Sequence, residues 1–290
     1  MQVTVAKTAG FCFGVRRALE LTQKSAALSP TCTLGELIHN RQVVEELAGQ
    51  GVTVIERPED APAGTAVVIR SHGVGPQVYD TLRAQGSPVI DATCPFVKRI
   101  HQIAAEVPEN GLLLLAGRRE HPEVQGILGY CRGQALVFSS AEEMQELLAF
   151  LPSDGNIPVI LAAQTTFSLR EWEKILFFAK KVCTNLKVFD TICRATIERQ
   201  SEAKQLAQSA DAIVVVGGLH SANTTALAAL CGSYCPTVQV ETADQLERHR
   251  EALRGARFIG ITAGASTPAC IIKEVQNSMS VLENNTAVSY

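Results

Sequence analysis

The sequence predicts an α/β fold of three similar domains, each with a mainly parallel sheet. Short apolar runs, often β-branched, alternate with segments whose apolar residues recur at helical spacing. This alternation is typical of βαβ units and parallel sheets. In each third of the chain, a cysteine opens a group of three loops that follow such runs. We therefore expect domains over residues 1–94, 95–193 and 194–290 that face one common centre.

The predicted elements follow in chain order. Strands are expected at residues 3–6, 33–38, 66–69, 88–90, 112–115, 159–161, 188–189, 213–216 and 258–261. Helices are expected at residues 41–51, 141–150, 168–182, 195–209 and 268–282, and residues 283–290 read as a frayed tail. Ligands of open parallel sheets bind beyond the carboxyl ends of the strands. The loops that follow these strands are therefore the candidate functional regions.

Composition excludes several classes of protein. The formal net charge of the 290 residues is -3, so no global positive field indicates binding to nucleic acid or to an anionic membrane. No apolar run approaches the roughly 18 residues that a membrane span needs. The first residues lack the basic and apolar regions of a signal peptide. We therefore expect a cytoplasmic protein.

Nine cysteines are scattered along the chain, and in a reducing compartment most should be small buried hydrophobic residues. That interpretation covers Cys32, Cys131, Cys183, Cys231, Cys235 and Cys270. Cys12, Cys94 and Cys193 differ because each follows a predicted strand, one in each third of the chain. Thiolates suit zinc or an iron–sulfur cluster. Three such ligands would hold three irons of a 4Fe–4S cluster and leave the fourth iron open to a substrate.

The remaining strand-end residues suit an anionic substrate. Hydrogen-bond donors for phosphate oxygens are His39, His72, His121, Ser221, Asn223 and Ser266. The helices that follow these loops would add backbone N–H groups. Glu123 is a candidate general acid, although an acid at a helix start is also favoured by the helix dipole alone. His101 and His249 read as surface or core histidines.

These residues lie in motifs that resemble one known family. The motifs are Gly10-Phe11-Cys12-Phe13-Gly14-Val15, His39-Asn40, Ser71-His72-Gly73-Val74, Asp91-Ala92-Thr93-Cys94-Pro95, His121-Pro122-Glu123-Val124, Gln164-Thr165-Thr166, Asp190-Thr191-Ile192-Cys193 and Thr262-Ala263-Gly264-Ala265-Ser266. The chain resembles the 4-hydroxy-3-methylbut-2-enyl diphosphate reductases, the LytB family, over nearly its whole length.

The resemblance implies a pseudo-threefold trefoil of three α/β domains around a central iron–sulfur cluster. It implies that two electrons and two protons remove the substrate's 4-hydroxyl group, giving isopentenyl and dimethylallyl diphosphate in the last step of the mevalonate-independent pathway. Ferredoxin or flavodoxin would donate the electrons.

The resemblance also assigns roles to individual residues. Cys12, Cys94 and Cys193 fall on the cluster ligands, Glu123 on the proton donor and Thr165 on its hydrogen-bonding helper. The substrate contacts fall on His39, His72, His121, Thr165, Ser221, Ala222, Asn223 and Ser266. Ala222 stands where some members carry a second serine, so only its backbone N–H can donate to the diphosphate.

Three other functions use some of the same features. A non-redox iron–sulfur dehydratase also needs an open iron, but it needs no external electrons. An iron–sulfur or zinc regulator that binds nucleic acid would need a clustered basic helix, which the sequence lacks. A cysteine-nucleophile transferase would be colourless after anaerobic purification.

Overall fold

A computed structural model describes residues 1–149, 157–183 and 185–286, with side chains described as far as residue 279. The strands are β1 (Gln2–Val5), β2 (Thr31–Leu34), β3 (Thr53–Ile55), β4 (Ala66–Ile69), β5 (Val89–Asp91), β6 (Leu112–Ala116), β7 (Gln134–Phe138), β8 (Val159–Ala163), β9 (Leu186–Val188), β10 (Ala212–Val216), β11 (Thr237–Val240) and β12 (Phe258–Ala263). The α-helices are α1 (Phe13–Ala26), α2 (Arg41–Gly49), α3 (Pro76–Ala84), α4 (Pro95–Ala105), α5 (Pro122–Leu128), α6 (Ala141–Ala149), α7 (Leu169–Val182), α8 (Arg194–Ser209), α9 (Ala222–Gly232), α10 (Arg250–Leu253) and α11 (Ala269–Thr286). Short 3-10 helices span Pro58–Asp60 and Ala243–His249.

Over these residues the strands form three four-stranded sheets, in which every pairing is parallel. The strand orders are β1-β12-β10-β11, β3-β2-β4-β5 and β7-β6-β8-β9. The chain divides into two compact units. Unit 1 comprises residues 1–16, 38–45 and 194–290, and it contains the first sheet. Unit 2 comprises residues 17–37 and 46–193, and it contains the other two sheets.

Burial on both faces explains why the central strands read as continuous apolar runs. In β6, the four leucines from Leu112 to Leu115 are all at most 1% exposed. Leu113 and Leu115 pack with Ile100 of α4 and Ile127 of α5. Truncating a buried leucine of this kind costs about 2–5 kcal/mol. The central strands are therefore the rigid base from which the site loops extend.

The three parallel sheets confirm the predicted α/β class. Sheet membership departs from the predicted boundary of the first domain at β1, because residues 2–5 pair with residues 258–261 near the other end of the sequence. Every other strand lies inside the range predicted for its sheet. The domain boundaries near residues 94 and 193 remain a prediction.

Several element boundaries differ from the sequence prediction. The strand expected at 33–38 ends at Leu34, because Gly35 adopts a φ of 70° that an extended strand cannot accommodate. The edge strands β3, β7 and β11 were not predicted. Exposed positions interrupt the apolar pattern of β3 and β7, and polar Thr237 and Gln239 alternate with the valines of β11. The five predicted helices correspond within a few residues to α2, α6, α7, α8 and α11, whereas the other α-helices were not predicted. Phe150 and residues 287–290 of the predicted tail lie outside the described residues, whereas α11 continues to Thr286.

Within the described ranges, no helix combines the length and the apolar character needed to cross a membrane.

Candidate active site

The three predicted ligand cysteines share a position that the other cysteines lack. Cys12, Cys94 and Cys193 each stand directly before a helix, namely α1, α4 and α8, and all three are partly exposed. The Cys12 and Cys94 carbonyls accept the first helical hydrogen bonds, at 3.0 Å in each case. A helix N-terminus favours negative charge, which suits thiolate ligands. All nine cysteines are free. Of the six that were predicted to be buried, Cys32 and Cys231 are fully buried in the core, whereas the prediction is wrong for Cys270, which is exposed.

In unit 1, the cysteine loop is joined to the loop after β12. The Cys12 N–H donates to the Ala265 carbonyl at 3.2 Å. Buried Arg199 donates to the Ala263 carbonyl at 2.6 Å and to the Gly10 carbonyl at 2.8 Å. A charged side chain buried this deeply is costly unless it is hydrogen-bonded, so Arg199 fixes both loops. The sequence analysis did not identify Arg199. Its position on the buried face of α8, where a charged residue is unusual, could have revealed it.

The predicted substrate residues of unit 1 surround the same edge of the first sheet. Ser266 is 8% exposed, and its hydroxyl donates to the His39 carbonyl at 3.4 Å. Ser221 caps α9 by accepting the Thr224 N–H at 3.4 Å. Gly218 approaches the His39 carbonyl so closely that an added Cβ would lie 3.0 Å from it. Unit 1 therefore brings His39 and Ser266 together beside the start of α9.

Asn223 is the buried donor of this group. It lies in the first turn of α9 and is 6% exposed. Its Nδ2 atom is buried and has no hydrogen-bond partner among the described residues. Native proteins rarely leave such a donor unsatisfied without a reason. Ala222 precedes it at the first helical position, where the backbone N–H has no acceptor within the helix. This helix start therefore offers donors suited to an anion.

In unit 2, a chain of contacts joins the remaining predicted residues. The Cys94 N–H donates to the Ser71 carbonyl at 3.0 Å, beside His72. The rings of His72 and His121 meet edge to face, with centroids 5.4 Å apart. The Cys193 N–H donates to the Thr165 carbonyl at 3.0 Å. The loops after β4, β5, β6, β8 and β9 therefore meet at the carboxyl ends of their strands.

His121 is held in one orientation by the helix that it caps. It is 7% exposed, and its Nδ1 accepts the backbone N–H of Glu123 at 3.2 Å. In a neutral imidazole, an accepting Nδ1 leaves the proton on Nε2. His121 is therefore set to donate through Nε2, which suits a phosphate or hydroxyl oxygen.

Glu123 forms the most specific contact of the site with Thr165. The Thr165 N–H donates to Glu123 Oε1 at 2.7 Å, and the Thr165 hydroxyl donates to Oε2 at 2.7 Å. Glu123 is 2% exposed and Thr165 is 6% exposed. Burial raises the pKa of Glu123 from 4.5 to about 7, although the two hydrogen bonds from Thr165 oppose the shift. A carboxyl with this pKa can exist as an acid near neutral pH.

His101, which the sequence analysis left out of the site, lies in the core. His101 is 5% exposed and stacks on Tyr130, with ring centroids 4.4 Å apart. Burial lowers the pKa of His101 to about 4, so it is neutral near pH 7. His101 lies directly under Gly73, where φ is 72° and an added Cβ would lie 2.5 Å from His101 Cε1. His101 is thus a core histidine that supports the loop carrying His72.

Known proteins are similar to this chain over nearly its whole length. The family model described as LytB protein matches residues 3–280. A protein of Caldanaerobacter subterraneus subsp. tengcongensis, named 4-hydroxy-3-methylbut-2-enyl diphosphate reductase, is 41% identical over 285 residues, which are 95% of each chain. A protein of the same name from Citrifermentans bemidjiense is 40% identical and covers 98% of this chain and 99% of its own length.

Solved structures resemble the whole chain as well. The E-1-hydroxy-2-methyl-but-2-enyl-4-diphosphate reductase of Plasmodium falciparum gives a TM-score of 0.88 at 26% identity, covering 97% of this chain and 87% of that one. A second structure, described as (E)-4-hydroxy-3-methyl-but-2-enyl diphosphate reductase, the terminal enzyme of the non-mevalonate pathway, gives 0.67 at 37% identity and covers 97% and 100%. Because the family model spans nearly all of the sequence and the relatives match over nearly their full length, the chain belongs to the LytB family.

Proposed function

We propose that this protein reduces 4-hydroxy-3-methylbut-2-enyl diphosphate to isopentenyl and dimethylallyl diphosphate, the last step of the mevalonate-independent pathway. The single observation that carries the proposal is the buried Glu123–Thr165 pair, in a chain whose relatives bear the name of this reductase. The reaction consumes two electrons and two protons and releases the 4-hydroxyl group as water. A buried acid near the substrate hydroxyl meets the proton requirement.

Cys12, Cys94 and Cys193 would hold a 4Fe–4S cluster with one open iron. Their thiolates are soft ligands suited to such a cluster, and their common place before a helix distinguishes them from the other cysteines. When bound, the cluster supplies the two electrons and a Lewis acid for the substrate's hydroxyl oxygen. The electrons would come from ferredoxin or flavodoxin.

The diphosphate would be bound by donor side chains that lie beyond the strand ends. Its proposed contacts are His39, His72, His121, Ser221, Ala222, Asn223 and Ser266. The unpartnered Asn223 Nδ2 supports this assignment, because a buried donor without an acceptor gains a hydrogen bond only when a ligand arrives. His121 supports it as well, because its Nδ1 accepts the Glu123 N–H and a neutral imidazole then carries its proton on Nε2. Binding energy gained at the diphosphate positions the distant hydroxyl for reaction.

Glu123 would supply a proton through Thr165. In the protonated form, the acid hydrogen of Glu123 can bond to the Thr165 hydroxyl oxygen at the observed 2.7 Å. The Thr165 hydroxyl is then released to donate toward the substrate oxygen. The departing hydroxyl takes up this proton and leaves as water. His121 caps α5, the helix that contains Glu123, and can orient the substrate by donating through Nε2.

The test is turnover by anaerobically purified and reconstituted protein, with dithionite and methyl viologen as reductants and with the two product diphosphates quantified. We expect both products in the presence of reductant and none in its absence. Loss of the substrate's hydroxyl group without a reductant would instead indicate a dehydratase. Colourless, iron-free protein that still converts the substrate would favour a cysteine nucleophile. Either result would refute the proposal.

A further inference from the structure

Two exposed phenylalanines lie close in sequence to proposed cluster ligands. Phe96 follows Cys94 by two residues, occupies the first turn of α4 and is 44% exposed. Phe13 follows Cys12 directly, begins α1 and is 56% exposed. A single exposed apolar side chain needs no explanation. An exposed aromatic ring nevertheless recurs after two of the three ligand positions, and this recurrence suggests a role for such a ring beside a ligand loop.

An arginine accompanies each phenylalanine at the same spacing. Arg99 stands three residues after Phe96 and Arg16 three residues after Phe13, so each pair shares a helix face. Both arginines are exposed. Among the described side chains of residues 1–149, 157–183 and 185–279, no carboxylate forms an ion pair with either arginine, and Arg16 donates instead to the Phe11 carbonyl at 3.1 Å.

A further positive charge lies beside Cys94 in unit 2. Arg17 donates to the carbonyls of Thr93 at 3.2 Å and Asp91 at 3.3 Å. The Asp91 carboxylate is paired with Lys98 at 2.6 Å.

We propose that the Phe96–Arg99 pair of unit 2 is a contact point for an acidic one-electron carrier protein. This inference depends on the proposed function, which requires electrons from outside the chain. Electron-transfer complexes are small and transient. A carrier with negative charge around its own redox centre would be steered by Arg99, while the Phe96 ring supplies apolar contact.

Reduction of one substrate molecule needs two electrons, and a one-electron carrier supplies them in two encounters. In each encounter, one reduced carrier is oxidised by one electron and the protein gains that electron. Two encounters supply the two electrons that one substrate molecule consumes, together with two protons. The carrier contributes no atom to the product and leaves after each transfer.

The experiment compares two reductants on the same holoenzyme variants. The Phe96→Ala and Arg99→Glu proteins are assayed with reduced ferredoxin, an acidic carrier, and separately with dithionite and methyl viologen. Binding of oxidised ferredoxin is measured by calorimetry on the same samples at low and high salt. The matched control is Phe177→Ala. Phe177 is 67% exposed beside Lys181, with that ammonium 3.8 Å from the ring centroid, but it lies in α7, which does not follow a proposed ligand cysteine.

We expect Arg99→Glu to lower kcat/KM for ferredoxin about tenfold or more at low salt and to weaken ferredoxin binding by a similar factor. Phe96→Ala should have an effect of about the same order, as expected for an apolar anchor. Turnover with viologen should stay within about twofold of the parent, far below the tenfold steering effect. The Phe177→Ala control should match the parent in every measurement.

Two outcomes would overturn the inference. Unchanged ferredoxin affinity and kinetics would show that the carrier docks elsewhere. An equal loss with both reductants would assign Phe96 and Arg99 to support of the cluster loop. Failure of the proposed function is distinguishable from both, because the parent protein would then not turn over with viologen. The calorimetric binding measurement would still test the docking surface in that case.

Discussion

Replacing Glu123 by glutamine should raise the free energy of unfolding at pH 8 and abolish most of the turnover. Glutamine keeps the size of the side chain and can still accept the Thr165 N–H that bonds Oε1 at 2.7 Å. It cannot act as a proton donor near neutral pH. General acid catalysis contributes about 10²–10⁴-fold. We therefore expect kcat to fall by about that factor while the cluster and substrate binding are retained.

The stability change follows from the raised pKa. Burial raises the pKa of Glu123 from 4.5 to about 7, so the folded state binds more protons than the unfolded state between these values. The stability contributed by the protonated side chain is present in full below pH 4.5 and is lost as pH rises through 7. At about 1.4 kcal/mol per pKa unit, the loss is roughly 3 kcal/mol. Glutamine has no charge to bury, so the variant should be more stable than the parent at pH 8.

Two assays on one anaerobic preparation test this reasoning. Urea unfolding at pH 5 and pH 8 should show a smaller loss of stability for Glu123→Gln than for the parent. The kcat of the parent should fall as pH rises above 7, because only the protonated acid is active, and the residual kcat of the variant should lack that dependence. A variant kcat within about threefold of the parent, far below the 10²–10⁴ range, would reject the catalytic assignment. It would leave Glu123 as an acid stabilised at a helix start.

Three further predictions test the ligands, the anion site and the loop that carries His72. Cys94→Ser should fail to retain iron and sulfide after reconstitution, whereas the matched Cys270→Ser at an exposed position should load fully; equal loading would contradict the ligand assignment. Asn223→Ala should weaken binding of inorganic diphosphate by about 1–3 kcal/mol in calorimetry, and unchanged affinity would remove that residue from the site. Gly73→Ala should lower the melting temperature, because its Cβ would lie 2.5 Å from His101 Cε1 and because φ is 72°; an unchanged melting temperature would show that the loop can shift without cost.

The sequence by itself predicted the fold class and the chemistry of the site loops. Both depend on local patterns, since apolar runs of strand length and apolar residues at helical spacing are visible without knowledge of contacts. Glu123, Thr165 and Cys193 could be selected from the sequence because reactive side chains recur where predicted strands end. The motifs then predicted the family, and the family model and the relatives confirmed it.

Only the tertiary structure decided which of these residues act together. The pairing of β1 with β12 and the bonds from Arg199 to Gly10 and Ala263 join positions that are distant in sequence. The Thr165 bonds to Glu123 span 42 residues, and the pKa of about 7 arises because the surrounding fold excludes water from that carboxyl. Local sequence patterns carry no information on these contacts or on desolvation, because both arise only when distant segments pack against one another.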